Sequence, residues 1–393
     1  MTTNIRRGKV PHSQTGVSPY LDEIYTIKGF FGDWAMLYRT HNVGHPKEWS
    51  NEDLMNLGAD TNLLRPTDLD DPRGAPMALM TGDGIVISLS RRSAAMPFAE
   101  KNADHHQIRF YHRGEFTLET ELGALEVKAG DFVVIPVGVM YRETPKTGDN
   151  QVMIFESRAP IRPAEELWDT VGFTSFFADF TLMVLPEPAP QRDAAEIEVE
   201  TEVRVKFRGK YERLVFSFDP LKDVVGWMGD PVIYKLNVWD IPGMGTSHGF
   251  LPPPSGAVLI GENKEFFFNV MSPKPMPTSP APNGSYGAPA HLNDYEEFWF
   301  NHRSDRAPTT EGHIWRLPAM VVHPGLKRPP MYPENPVKQI EEIKLNFDTK
   351  VALSWTDEAR AAFLPDPHTA VHTSLYGAHI GVVPAEAMKH VKK

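Results

Sequence analysis

Three residues in the C-terminal half have the types and the order of a metal site. His291 and Glu297 lie six residues apart in AHLNDYEEFWFNH, and His323 follows in VVHPG. Two imidazoles and one carboxylate can hold a divalent ion and leave positions open on it, which suits iron(II) that must bind both a substrate and dioxygen. Manganese, cobalt, nickel or zinc would accept the same ligands, so the ligand types alone do not select iron.

A bend is needed to bring the first two of these residues together. On a straight strand, His291 and Glu297 would share a face but stand about 20 Å apart. Residues 293–295, NDY, supply turn chemistry between them. Glu296 is a rival carboxylate, but the alternation of side chains along a strand favours Glu297.

The third predicted ligand comes at the end of a second motif. Gly312, Pro318 and His323 fit the pattern G-x5-P-x-G-x2-H, except that Met320 stands where the second glycine belongs. Together with the H-x5-E spacing upstream, this pattern is typical of the two motifs of a cupin barrel, on neighbouring strands. The rivals for the third ligand are His302 and His313.

The first half carries the second of these motifs without the ligands. Gly130, Pro136 and Gly138 fit G-x5-P-x-G, but the position of the histidine is Tyr141 and that of the glutamate is Gln107. We therefore expect a barrel there that has lost its metal. Three nearby histidines are expected to be surface or hydrogen-bonded residues: His105, His106 and His112.

Composition narrows the class of protein. The chain has 393 residues, no cysteine and a formal net charge of -11, so thiolate sites, disulfides and a nucleic-acid footprint are not expected. The N-terminus lacks the apolar core of a signal peptide, and no run of about 18 apolar residues suggests a membrane helix. We expect a soluble, cytoplasmic protein.

The pattern along the chain predicts many short strands. Residues 106–143 alternate apolar and polar side chains between glycines, as half-buried antiparallel strands do. We place a linker at 184–200 and one short helix at 356–364. The predicted fold is all-β: a bicupin of two double-stranded β-helix (jelly-roll) barrels with short helices. The expected domains are a metal-free barrel at 1–190 and a metal-binding barrel at 191–393.

With these residues in place, the chain resembles the homogentisate 1,2-dioxygenase family. The resemblance implies a large β-rich fold whose second barrel binds iron(II) through His291, Glu297 and His323, and it suggests a trimer or hexamer. The segments that carry it are RGEFTLETELGALEVKAGDFVVIPVGVMYR (113–142), DVVGWMGDPVIYKL (223–236), the His291–Glu297 pair and VVHPG (321–325).

Three departures from the family pattern bear on the substrate. Met228 stands where the family has a histidine near the substrate hydroxyl. Leu292 replaces an arginine near the substrate carboxylate, and Leu317 replaces a histidine six residues before the last ligand. Since a buried carboxylate needs a cationic or donor-rich partner, we expect a less polar aromatic substrate than homogentisate.

The expected activity is that of a non-haem iron, extradiol-type ring-cleaving dioxygenase, acting on a hydroquinone-like or related phenolic aromatic with O2. The sequence does not identify the residue that accepts the proton, because the family's histidine is absent. The candidates for catalysis are His248, His313 and Tyr286, with Tyr295 also considered. The residues expected to contact the substrate are Met228, Leu292, Tyr295 and Leu317.

Other functions remain open at this stage. A cupin isomerase, decarboxylase or lyase would use the metal only as a Lewis acid, and it would not consume O2. A non-catalytic cupin would bind a small ligand, but such a pocket needs no open metal positions. A pseudo-enzyme could keep its metal ligands after losing its substrate contacts.

Overall fold

The computed structural model describes most of the chain. The described residues are 8, 21–29, 32–41, 43, 46, 48–164, 183–187, 192–230, 233–241, 257–272, 274–275, 290–304, 310–322, 339–340 and 342–364. Within these ranges, no helix has the length and the run of apolar residues needed to cross a membrane.

The first barrel consists of two facing sheets. The order of the seven-stranded sheet is β16 (Tyr234–Asn237), β10 (Asp131–Ile135), β7 (His106–Arg113), β12 (Gln151–Ser157), β5 (Ile85–Ser90), β4 (Met77–Gly82) and β25 (Ser354–Trp355). The order of the six-stranded sheet is β15 (Lys210–Phe216), β14 (Thr201–Phe207), β6 (Ala99–Asn102), β11 (Met140–Pro145), β8 (Glu115–Thr120) and β9 (Gly123–Lys128).

Alternating side chains explain why this barrel closes. On the β8–β9 hairpin, Phe116, Leu118, Leu125 and Val127 are buried, while the residues between them are half-buried or exposed. The buried set packs against apolar residues of the facing sheet, as a jelly roll requires. Gly123 begins β9 with a φ of +125° that suits glycine.

The second barrel is described mainly through one large sheet. The order of its seven strands is β13 (Ile161–Pro163), β17 (Ala257–Gly261), β18 (Phe266–Met271), β24 (Glu342–Thr349), β21 (Glu296–Ser304), β22 (His313–Leu317) and β3 (Leu57–Asp60). A three-stranded sheet has the order β2 (Trp34–Arg39), β1 (Leu21–Thr26) and β20 (Ala290–Leu292). A two-stranded sheet pairs β19 (Lys274–Pro275) with β23 (Gln339–Ile340).

The two seven-stranded sheets pack back to back. Phe155 of the first barrel meets Phe268, Phe298 and Phe347 of the second, with ring centroids 5.3–5.6 Å apart. We call this apolar zone the inter-barrel layer; it forms the largest buried cluster in the described chain. The opposite surface of the second sheet, which carries Glu297, is the inner face of the second barrel.

The barrels exchange strands. The early strand β3 pairs with β22 of the second barrel, and the late strand β25 pairs with β4 of the first. Strands β14 and β16 also pair within the first barrel, beyond residue 190. The division at 190/191 therefore does not describe how the sheets are built, although the predicted all-β, two-barrel fold is confirmed.

One local prediction needs adjustment. The helix expected over 356–364 is a single turn, α2 (Asp357–Arg360), which Thr356 caps by accepting a hydrogen bond from the amide of Ala359 at 3.2 Å. The other short helices are α1 (Ala194–Ile197) and 3-10 turns at Glu52–Leu54, Thr61–Leu63, Thr67–Leu69, Val238–Asp240 and Glu262–Lys264.

Candidate metal centre

A bend in the chain brings His291 to Glu297. Strand β20 ends at Leu292, and β21 begins at Glu296. Between them, Oδ1 of Asn293 accepts a hydrogen bond from the amide of Tyr295 at 2.8 Å, which is the side-chain turn that an asparagine favours. As a result, Nε2 of His291 and Oε1 of Glu297 lie 3.6 Å apart.

The carboxylate of Glu297 is fully buried and is held by neutral donors. Nδ2 of Asn293 donates to Oε1 at 2.7 Å, and Nε1 of Trp299 donates to Oε2 at 3.0 Å. Both hydrogen bonds orient the carboxylate, one at each oxygen. Asn293 and Trp299 thus act as supports for the predicted ligand.

The neighbouring carboxylate is committed elsewhere. Glu296 faces away from Glu297, and its Oε2 lies 2.7 Å from Nε of Arg316, a buried ion pair. Burial raises the pKa of Glu296 even though Arg316 opposes that shift. The alternation that favoured Glu297 over Glu296 matches this arrangement.

The chain that leads to the third predicted ligand passes the same place. The amide of Met320 donates to the carbonyl of Asn293 at 2.7 Å. Met320 has a φ of +59°, so it keeps the left-handed backbone for which the motif normally uses glycine. His323 itself lies outside the described residues.

Three residues predicted to contact the substrate lie near the His291–Glu297 pair, each in a different orientation. Leu317 lies directly opposite Glu297 on β22, and it packs with Trp299 and Trp315. Tyr295 is buried, but its hydroxyl donates to the carbonyl of Lys264 at 2.6 Å. Leu292 follows His291 on a strand, so its side chain points to the other face.

Two further predicted residues have surroundings different from those of the pair. The side chain of Met228 is 100% exposed in the single chain. His313 places Nε2 3.6 Å from Oδ2 of Asp60, at the far end of β22. His313 lies four positions before Leu317, which is about 13 Å along a strand. Burial raises the pKa of Asp60, but hydrogen bonds from His313 and from the backbone of Asn62 outweigh it and leave the pKa lowered.

The remaining predicted residues divide into two groups. The rival ligand His302 lies in the inter-barrel layer, where its Nδ1 is 2.8 Å from Nδ1 of His112. The prediction that His112 is hydrogen-bonded therefore holds, with a partner that the sequence did not suggest. His248, Tyr286 and His323 lie outside the described residues.

Sequence reasoning missed a second carboxylate beside the pair. Asp348 is buried on β24 and lies directly opposite Glu297. Burial, followed by the charge of Glu297, raises the pKa of Asp348 well above its ordinary value. The signal was the alternation KLNFDT, which places Lys344, Asn346 and Asp348 on one face of a buried strand.

This donor set fits a divalent metal ion. Ligand atoms bonded to one ion at about 2.1 Å stand roughly 3–3.5 Å apart, close to the observed His291–Glu297 spacing. Two adjacent buried carboxylates are also unfavourable unless a cation or proton offsets their charge. Within the described residues no three histidine or carboxylate side chains meet as a metal site, and the third predicted ligand lies outside them.

Part of this chain is similar in sequence to known proteins. The protein-family model described as the N-terminal part of homogentisate 1,2-dioxygenase matches residues 77–238. These residues form the first barrel from β4 to β16. A homogentisate 1,2-dioxygenase of Pseudomonas putida is 27% identical over 194 residues, 48% of this chain and 43% of that protein. The first barrel is therefore similar to the N-terminal part of homogentisate 1,2-dioxygenases. The region that the family model matches ends before the His291–Glu297 pair.

Other proteins resemble this chain at low identity. A Saccharolobus solfataricus protein with a provisional dioxygenase name is 25% identical over 234 residues, 56% of this chain and 59% of that protein. The chain spans about half the length of the curated relatives it matches. A cupin 2 conserved barrel domain protein of Leptotrichia buccalis overlaps 70% of this chain and 88% of that one, at 8% identity and a TM-score of 0.32.

Proposed function

We propose that this chain is an iron(II)-dependent, extradiol-type dioxygenase that opens the ring of a hydroquinone-like or related phenolic aromatic. His291, Glu297 and His323 would hold the iron in the second barrel. The substrate differs from homogentisate in having fewer charged groups. Assembly into a homo-oligomer and a cytoplasmic location belong to the same proposal.

The observation that carries this proposal is the buried His291–Glu297 pair. Its atoms lie 3.6 Å apart, and a histidine and a carboxylate are two of the three ligands of an iron(II) oxygenase site. The resemblance of about half of the chain to the homogentisate 1,2-dioxygenases supports iron over other metals.

The chain's own residues prepare this site before any substrate arrives. Asn293 and Trp299 fix the carboxylate of Glu297, so little reorganisation is needed when a cation binds. The packing of Leu317, Trp299 and Trp315 keeps water from one side of the carboxylate. Bound iron(II) would lower the pKa of a substrate hydroxyl and hold the substrate near O2.

The surroundings of Glu297 support a substrate of lower polarity. Leu317, directly opposite, is 2% exposed and offers no hydrogen bond. A histidine at this position could donate to a substrate oxygen, whereas leucine can only pack against a ring. We therefore infer that affinity for the aromatic comes largely from apolar contact.

Oxygen uptake tests the proposal. The iron(II)-loaded protein is mixed with hydroquinone, gentisate or aminophenols in an oxygen electrode, beside Glu297→Gln and the exposed control Glu115→Gln. We expect uptake with at least one hydroquinone, a loss of at least 100-fold in Glu297→Gln because the ligand is gone, and normal rates in Glu115→Gln.

Two results would count against a dioxygenase. Iron-loaded protein that consumes no oxygen with any compound of the panel would remove the activity. Conversion of a substrate without oxygen consumption, with zinc or manganese as effective as iron, would instead favour an isomerase or lyase.

A further inference from the structure

A buried polar patch lies beside Glu297 on the inner face. It consists of Asn269 on β18 with Asn346 and Asp348 on β24, and we call it the Asn269–Asp348 patch. The register places Asn346 opposite Asn269, and Asp348 opposite Glu297. Directly opposite side chains begin about 4.5–5.5 Å apart, so the patch adjoins the predicted metal ligand.

The patch is organised by one amide group. Nδ2 of Asn269 donates to Oδ1 of Asn346 at 2.6 Å and to Oδ2 of Asp348 at 2.9 Å. Asn269 is 0% exposed and Asp348 is 3% exposed. These contacts hold both side chains in fixed orientations, and they use both hydrogens of the amide.

Two acceptor atoms and one donor of the patch remain unsatisfied. Oδ1 of Asn269, Oδ1 of Asp348 and the donor Nδ2 of Asn346 have no hydrogen-bond partner in the part of the chain that the structure describes. A buried acceptor without a donor costs free energy comparable to a lost hydrogen bond. Such atoms beside a catalytic site therefore indicate a donor supplied by a ligand.

The charges around the patch select the kind of donor. A substrate carboxylate would lie beside the buried carboxylate of Glu297, and like charges at this distance repel. A neutral hydroxyl group donates to either free oxygen, and it can also accept, so it suits a carboxyl group in either protonation state. Trp299, opposite Asn346, adds an aromatic wall next to the patch.

We propose that the Asn269–Asp348 patch is a specificity subsite that binds a neutral hydroxyl group of the aromatic substrate. This inference rests on the proposed function, which it deepens by naming the recognised group. The polar contacts that the family places at Met228, Leu292 and Leu317 are thus replaced by contacts on a different pair of strands.

Binding without turnover tests the subsite. Zinc-loaded protein, which cannot perform redox chemistry, is titrated calorimetrically with hydroquinone and with 4-methoxyphenol, in which one hydroxyl can no longer donate. We expect wild type to bind hydroquinone about ten-fold more tightly, about 1.4 kcal/mol. In Asp348→Asn, the amide oxygen faces Asn269 and the amide nitrogen replaces the free acceptor, so the ratio falls to about one or inverts.

The controls separate this subsite from the proposed activity. The exposed Asp149→Asn keeps the ten-fold ratio. Should Asp348→Asn fail to fold, Asn269→Ala takes its place, with the same expected loss of discrimination. Equal binding of the two probes by wild type, or an unchanged ratio in the variant, overturns the subsite. Oxygen uptake by the iron-loaded enzyme is measured independently, so loss of the subsite alone leaves the dioxygenase standing.

Discussion

Buried carboxylates have different partners in the two barrels. In the first, the buried carboxylate of Glu143 lies 2.7 Å from the guanidinium of Arg109, and that of Glu100 lies 2.6 Å from Arg204. Tyr141, at the position of the motif's histidine, joins the two pairs: its hydroxyl donates to Glu100 at 2.6 Å and accepts from Arg109 at 3.2 Å. The place of a metal is filled by the protein's own cations.

In the second barrel, Glu296 is likewise paired with Arg316, but Glu297 and Asp348 accept hydrogen bonds from neutral side chains. Glu297 accepts from an asparagine and a tryptophan, and Asp348 accepts from an asparagine. His291 adds an imidazole at 3.6 Å. Buried carboxylates in this architecture therefore occur in two settings: paired with an arginine, as at Glu143 and Glu100, or held by neutral donors beside an imidazole, as at Glu297.

The largest expected effect comes from removing the internal cation of the first barrel. Arg109→Leu leaves Glu143 buried without its charge partner, which typically costs about 3–5 kcal/mol. We expect a fall of that size in the free energy of unfolding, measured by urea denaturation. The metal content of the second barrel should not change in the folded variant.

A double variant sharpens this prediction. Arg109→Met with Glu143→Gln removes both charges, so most of the lost stability should return. Tyr111, which donates to Glu143 at 2.6 Å, can still donate to the glutamine oxygen. If Arg109→Leu instead unfolds like wild type, the first barrel does not depend on its internal cation.

A somewhat smaller effect is expected at the contact between the barrels. Burial, followed by the charge of Arg303, lowers the pKa of His302 from 6.5 to about 4. Between those values the unfolded chain takes up a proton that the folded chain does not, so stability is present above pH 6.5 and is lost as pH falls towards 4. The loss is on the order of 3 kcal/mol.

Denaturation at several pH values checks this effect. His302→Gln cannot titrate, so its stability should fall less than that of wild type between pH 7 and pH 4.5. Phe300→Leu, a change in the same inter-barrel layer, should lower stability by a similar amount at both pH values. Parallel pH profiles for wild type and His302→Gln would mean that the His112–His302 contact does not resist protonation.

The smallest effect compares the same corner of the two barrels. Gly138 has a φ of +84° in the first barrel, and Met320 has a φ of +59° in the second. Met320→Gly removes backbone strain of about 1–2 kcal/mol but gives the unfolded chain more freedom, so a gain below about 1 kcal/mol is expected. Gly138→Ala should cost about 1 kcal/mol. Destabilisation by Met320→Gly would show that the side chain matters more than the backbone.

Local patterns allowed much of the fold to be predicted. The alternation over 106–143 corresponds to five strands, from β7 to β11, and the turn chemistry of Asn293 produces the bend at the site. Both signals act between residues close in sequence. The Glu296–Glu297 choice followed from strand alternation in the same way.

Other features depend on contacts that leave no local trace. The exchange of β3 and β25 joins short segments to strands far away in sequence, and no pattern in four residues reveals the partner. The His112–His302 contact and the position of Asp348 opposite Glu297 follow from sheet packing and register. The full exposure of Met228 in the single chain was equally invisible to a motif comparison.

The iron content of the protein tests most directly whether His291 and Glu297 are metal ligands. Protein reconstituted with iron(II) without oxygen, then desalted, is analysed for iron in wild type, His291→Ala and Glu297→Gln, with His41→Ala and Glu115→Gln as exposed controls. We expect one iron per chain in wild type and controls, and iron binding that is weaker by at least about ten-fold in the two site variants. Full iron content in either site variant would contradict it.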